Sequence, residues 1–148
     1  MTDLSHVEQL IPLDHGLSVI ITTRPNGTPQ TSVVNAGVTA HPLTGAEVVA
    51  FVAAGRARKL TFLRANPSVT VVVRAGWKWA SVDGTADLIG PDDPHDDVDA
   101  ERLRLLLREI FTAAGGTHDD WDMYDRVMRE ERRTAVLVTP TRVYSNPA

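Results

Sequence analysis

The chain has 148 residues, 43% of them hydrophobic and 23% charged, with a formal net charge of −4; this fits one domain with a sizeable core. It contains no cysteine, which excludes disulfides, thiolate metal sites and cysteine nucleophiles. The charge pattern offers no broad basic face for duplex nucleic acid, and the longest wholly apolar run, residues 48–54, is far below the roughly 20 residues of a membrane span.

The first residues show no basic segment followed by an apolar one, so a soluble cytoplasmic protein is expected. Residues 7–13 read as a short helix stopped near Pro12, whose apolar side chains would close one end of a barrel. Residues 17–23 are rich in Val, Ile and Thr and read as a strand. Arg24-Pro25-Asn26-Gly27 is a turn signal, because Pro presets φ and Asn-Gly tolerates positive φ. The return strand, residues 30–39, carries Gln30, Ser32 and Asn35; this suits either a pocket wall or an edge strand. Gln30 and Ser32 share one face and Asn35 takes the other. His41 to Gly45 is a second turn. Residues 47–53 are apolar on both faces and belong inside the fold.

The next stretch, residues 55–67, carries the main anomaly. A glycine turn leads into a short helix, and Arg56, Arg58 and Lys59 cluster in or just before its first turn. The macrodipole and the free amide groups already favour anions there, so cations run against the local rule. A bound phosphate would remove the conflict; a solvated turn paired with acidic residues is the other reading.

Residues 69–74 form a Val-rich strand, and residues 77–89 a long strand with Gly84 near its middle, the mark of a bulge or barrel corner. On that reading Trp77 and Trp79 share one face and Lys78 the other. The tryptophans would then be either an aromatic wall or core packing. Asp92, Asp93, Asp96, Asp97, Asp99 and Glu101 form an acidic block that reads as a helix start and solvated loop. Setting those six aside leaves 15 basic against 13 acidic residues (19 less 6), so the acidity is local. Residues 97–114 then carry Ala100, Leu103, Leu107, Ile110, Phe111 and Ala114 as one helical stripe, stopped by Gly115-Gly116. Thr117 to Asp120 resembles a capping box. A second helix runs to about Glu131 with Trp121, Tyr124, Val127 and Met128 inward, and residues 134–143 form the last strand. The expectation is a single domain over residues 1–148, mainly β with helices (α+β): six antiparallel strands in a barrel, with a late helical pair.

The order of motifs is similar to the pyridoxamine 5′-phosphate oxidase-like split β-barrels. The matching pieces are Ala57-Arg58-Lys59, Leu63-Arg64-Ala65-Asn66-Pro67, the strand from Val69 and Val82-Asp83-Gly84-Thr85-Ala86. The early hairpin, Gly27 to Ser32, fits the family's first two strands. The size, the Gly76-Trp77 opening and the His118-Asp119-Asp120-Trp121 stretch resemble the small actinobacterial members that use the deazaflavin F420. The resemblance implies a homodimer with cofactor sites at the interface. It implies that Lys59 and Arg58 hold the cofactor phosphate with Arg56 nearby, that Gln30, Ser32 and Asn35 line the ring, and that Trp77, Lys78 and Trp79 shape the pocket. The ending, Thr141 to Ala148, lacks the Arg-Pro-x-Arg type of segment and departs from vitamin B6 oxidation. Phe62 stands where related chains carry a polar residue.

The implied activity is hydride transfer from reduced F420 to a small organic acceptor, with the cofactor carrying the reactive atom. An FMN-dependent oxidoreductase is the first alternative, and a carrier that binds cofactor without turnover is the second. No nucleophile-base set is present, so no catalytic residue is assigned. The five histidines, His6, His15, His41, His95 and His118, are scattered, and no metal site is expected.

Overall fold

The computed structural model describes residues 2–146. Its strands are β1 (Leu17–Thr23), β2 (Pro29–Ala40), β3 (Glu47–Ala53), β4 (Ser68–Ala75), β5 (Lys78–Ile89) and β6 (Thr134–Tyr144). Its helices are α1 (Ser5–Leu10), α2 (Arg58–Ala65), α3 (Ala100–Ala113) and α4 (Trp121–Glu130). The strands pair antiparallel and close into a barrel in the order β1-β2-β3-β6-β5-β4, with β4 returning to β1. This is the expected six-stranded barrel with a late helical pair. Among the described residues no helix is long and apolar enough to cross a membrane.

Two apolar clusters divide the molecule. The barrel interior holds Ile20, Val49, Phe51, Val71, Val73, Val82, Val136 and Val138, and is plugged by Val7 and Leu10 of α1 and by Leu60 and Leu63 of α2. The second cluster lies outside the barrel, where Leu106, Leu107 and Ile110 of α3 and Tyr124 of α4 cover Val48, Ala50, Ala135 and Leu137. Alternate residues of β3 and β6 therefore serve different cores, which is why both strands are apolar on both faces. Beyond the reach of α3, the first half of β2 and the facing part of β1 carry apolar residues on their outer side. There Leu17 and Val19 of β1 are exposed, and Val33 of β2 is 65% exposed.

Local chemistry explains most boundaries. Gly27 closes the first hairpin at φ +86°, its amide donating to the Arg24 carbonyl at 2.8 Å. A bulge between Asp83 and Gly84 shifts the β5–β6 register. Gly115 ends α3 in the left-handed region, and the Gly116 amide reaches back to the Phe111 carbonyl at 2.9 Å, the geometry of a Schellman cap.

Several expectations need correction. Residues 11–13 form a 3₁₀ turn that follows α1. Trp77 does not belong to β5; Gly76 at φ +62° keeps the chain in a turn until Lys78. The cap of α4 is Asp120, not Thr117: its side chain accepts from the Met123 amide at 3.1 Å, while His118 Nδ1 accepts from the Asp120 amide at 3.0 Å. Ala100 is exposed and Leu106 takes a core position on α3. The acidic block starts α3 as expected, but Asp92 and Asp93 in its loop part are ion-paired rather than solvated. Asp99 caps α3 by accepting from the Arg102 amide at 2.7 Å. Arg64 donates to Asp93 at 2.9 and 2.7 Å, and Arg132 to Asp92 at 3.2 and 2.5 Å.

The end of α3 lies directly on the β2 backbone. A Cβ placed on Gly37 would stand 2.4 Å from the Ala113 carbonyl carbon, and backbone cannot swing aside as a side chain can. Gly37→Ala is expected to lower stability by about 1–3 kcal/mol, the usual cost of overpacking, read as a lower midpoint in chemical denaturation; an unchanged midpoint would show that α3 slides freely over β2.

Candidate functional site

The site begins with one close approach. After β3 the chain turns through residues 54–57, and the Gly55 amide donates to the Glu131 carbonyl at 3.0 Å. A Cβ on Gly55 would stand 2.8 Å from both the Cβ and the carbonyl oxygen of Arg132, so only glycine fits. Arg132 itself adopts φ 51°. This contact locks the start of α2 against the start of β6. Its consequence is that Lys59, in the first turn of α2, and Arg133, just before β6, line the same cleft.

The cleft has a volume of about 840 Å³, within the usual range for ligand pockets. One wall is the strand segment Val33, Val34 and Asn35; the other comes from Phe111 on α3 and Tyr124 and Met128 on α4. Ala57, the residue capping α2, supplies no side-chain cap, so the helix start presents amide groups without a side-chain acceptor. Burial, and then the Arg133 cation, hold the Lys59 ammonium below its ordinary value of 10.5. Arg133 donates to Glu131 at 2.8 Å. Lys59 and the Glu131-paired Arg133 thus share one partly dehydrated cleft.

The aromatic wall is rigidly backed. Phe111 and Tyr124 lie 5.1 Å apart between ring centres, and Trp121 meets Phe111 edge-on at 6.0 Å. The Tyr124 hydroxyl donates to the Leu107 carbonyl at 3.0 Å, and burial pushes its phenol up to about 12, so it stays neutral with its proton committed. Beneath the wall, Asp125 is only 7% exposed. Arg108 and Arg104 both donate to it. The Arg108 bond, overriding burial, holds that carboxyl below the usual carboxylate range. Arg108 also stacks 5.1 Å over Trp121. This network orients α4 against α3.

The fold brings together only two of the nine residues expected at the site. Lys59 and Asn35 line the cleft, Asn35 Nδ2 donating to the His15 carbonyl at 2.7 Å. Gln30 and Ser32 lie on the other face of β2, opposite Thr22 and Ile20. Thr22 donates to Gln30 Oε1 at 2.6 Å, and the Ser32 hydroxyl is buried without a partner among the described residues. Arg56 is exposed. Arg58 is also exposed, its guanidinium 5.7 Å over the Phe62 ring; neither lines the cleft. Trp77, 96% exposed, and Lys78 line a separate groove with α1 and residues 145–146. Trp79 packs edge-on against Tyr144 at 6.0 Å. The residues that sequence reasoning missed are Arg133, Phe111 and Tyr124 as cleft walls, and the pairing of buried His41 with Asp87 at 3.0 Å. No local signal marks Arg133, whose position follows from the Gly55 contact. Among the described residues no group of three acidic or histidine side chains could hold a metal.

The lowered Lys59 value has a measurable consequence. Between the folded value and 10.5 the unfolded chain binds more protons, so stability rises with pH through that window. Lys59→Met should flatten this rise relative to the parent protein in urea titrations across alkaline pH; parallel curves would mean that Lys59 is freely solvated.

No family model matches the sequence. Solved structures do. An F420 reductase superposes with a TM-score of 0.62 at 20% identity, over 93% of this chain and 94% of that one. A pyridoxamine 5′-phosphate oxidase-related, FMN-binding protein of Nostoc punctiforme gives 0.60 at 17% identity, over 95% and 78%. The heme storage protein of Vibrio cholerae gives 0.57 at 13%, over 96% and 94%. The chain thus has the fold of the pyridoxamine 5′-phosphate oxidase-like split β-barrels.

Proposed function

We propose that the chain is an oxidoreductase that binds a phosphate-bearing flavin-type cofactor in the Lys59–Arg133 cleft, with F420 as the cofactor and FMN as the alternative. The observation that carries this reading is the pair of cations facing one half-buried cleft beside the uncapped start of α2. A phosphate there would accept from Lys59, Arg133 and the first-turn amide groups, reversing the unfavourable meeting of like charges. Phe111 and the Val33–Val34 strand segment supply apolar surface for a planar ring. The bound cofactor would supply the hydride for a small organic acceptor. The protein's part is to fix the phosphate, orient the ring and exclude water.

A second reading is a carrier that binds cofactor without turnover. It is favoured by the commitment of the central side chains: Tyr124 donates to Leu107, Lys59 and Arg133 are the phosphate ligands, and His15 at the exposed edge of the cleft is, among the described cleft residues, the one titratable side chain left to supply a proton. The heme storage protein that shares the fold shows that the barrel hosts such a role.

The reading includes a homodimer. Val33 lies on both the cleft wall and the outer side of β1 and β2, where Leu17 and Val19 are also exposed. A second copy laid over that flank would cover these side chains and close the cleft from its open side.

Fluorescence titration of the purified protein with F420 and with FMN tests the cofactor, and tighter FMN binding reverses the assignment. Lys59→Ala should weaken the preferred cofactor by about 1.5–3 kcal/mol, the value of a hydrogen bond to a charged group; unchanged affinity removes the clamp. Hydride transfer to enones or quinones, or its absence, separates enzyme from carrier. Val33→Glu should convert the dimer to monomer in sedimentation and weaken cofactor binding with it; a dimer that persists places the interface elsewhere.

A further inference from the structure

A second cavity of about 610 Å³ lies on the other side of Met128 and Arg133, which line both spaces. Its floor is apolar: Ile89, Val98, Leu103 and Leu107, with Met128 at the side. Its rim is charged, and nearly every charge there is spoken for. Arg104 is held by Glu101 and Asp125, Arg132 by Asp92, and Arg133 by Glu131. Of the acidic residues at the rim, Asp99 caps α3, while Glu101 and Asp125 are the arginine partners just named. Arg129 is the exception. It is exposed, and its guanidinium makes no ion pair or hydrogen bond among the described residues.

We propose that this cavity is a separate site for an organic acid with an apolar body. The acid group pairs with Arg129, and the apolar body lies on the Leu103–Leu107 floor. The combination of a hydrophobic floor and one unspent, geometrically forked donor at the mouth selects for that chemistry. A neutral molecule of the same shape leaves the guanidinium without its anion. A small inorganic anion leaves the floor uncovered. The site does not depend on the cofactor reading, because its anchor, Arg129, does not line the Lys59 cleft.

Decanoate is the probe, titrated calorimetrically into the full chain, with decanol as its neutral counterpart. One equivalent of decanoate should bind, and decanol more weakly. Arg129→Ala, an exposed position, should weaken decanoate about tenfold or more, as expected for loss of a charge-assisted bond, without changing the melting temperature. Leu103→Trp, which fills the floor, should abolish binding, and a melting curve checks that it is folded. Lys59→Ala should leave decanoate affinity unchanged. The proposal is overturned if decanoate fails to bind, if decanol binds as tightly, or if Arg129→Ala binds like the parent. Loss of decanoate binding in Lys59→Ala would place the acid in the cofactor cleft and overturn it equally.

Discussion

The site depends on the contact of Gly55 with Glu131 and Arg132. It is a backbone approach, with the amide hydrogen-bonded at 3.0 Å and no space for a Cβ. Such a contact cannot relax as a side chain would, so it fixes two chain segments in one register. The β3–α2 turn brings Lys59 and the α4–β6 turn brings Arg133. Two ion pairs brace the same region from the β5–α3 loop: Asp93 holds Arg64 of α2, and Asp92 holds Arg132. The cations are therefore held close by structure rather than by mutual attraction. Repulsion shows in the lowered Lys59 value, to which Arg133 contributes after burial. Glu131 offsets the Arg133 charge, and Lys59 is left as the cation that a bound anion would relieve.

Strand limits were legible where turn chemistry is explicit. β1 and β3 run over the residues read from sequence, because Pro25-Asn26-Gly27 and the His41–Gly45 turn set their ends. The two-sided apolar pattern of β3 also meant what it says, since Val49 and Phe51 face the barrel while Val48 and Ala50 face α3. The separation of Asn35 from Gln30 and Ser32 followed from the period of a strand. Trp77 misled because the i, i+2 rule applies only inside a strand, and Gly76 in the left-handed region delays the start of β5. Nothing in the sequence around His41 distinguishes it from the other histidines, yet it is buried with Nε2 on Asp87, 46 residues away, and Nδ1 accepting from the Leu43 amide at 3.1 Å. Arg133 and Tyr124 were invisible for the same reason: their relation to Lys59 exists only after α3 and α4 fold back over β3 and β6.

The aromatic wall shows how stability and site geometry share parts. Asp125 is buried and would be costly if unpaired. Arg104 and Arg108 satisfy it, and Arg108 stacks on Trp121. Trp121 in turn backs Phe111, and Tyr124 ties its hydroxyl to α3. A ligand ring meeting Phe111 would thus press on a wall whose position is set by a charge network one layer further in, which keeps the surface flat without placing a charge against the ring.

The barrel is sealed unevenly, and the cleft lies on the boundary. On the side of β3 and β6, α3 and α4 complete a second core. On the side of β1 and β2 the outward residues Leu17, Val19 and Val33 stay in water. A scattering of such residues would be ordinary, but these are neighbours in register, Val19 opposite Val33 and Leu17 opposite Asn35. Val33 and Asn35 are at the same time cleft wall. A site that served only a small anion would need the cations and nothing of this strand. One that holds a flat, partly apolar ring next to its phosphate needs both, and it gains from whatever later covers Val33. The position of the cleft, half against the helices and half against the exposed strand segment, therefore favours a ligand that is larger than its phosphate.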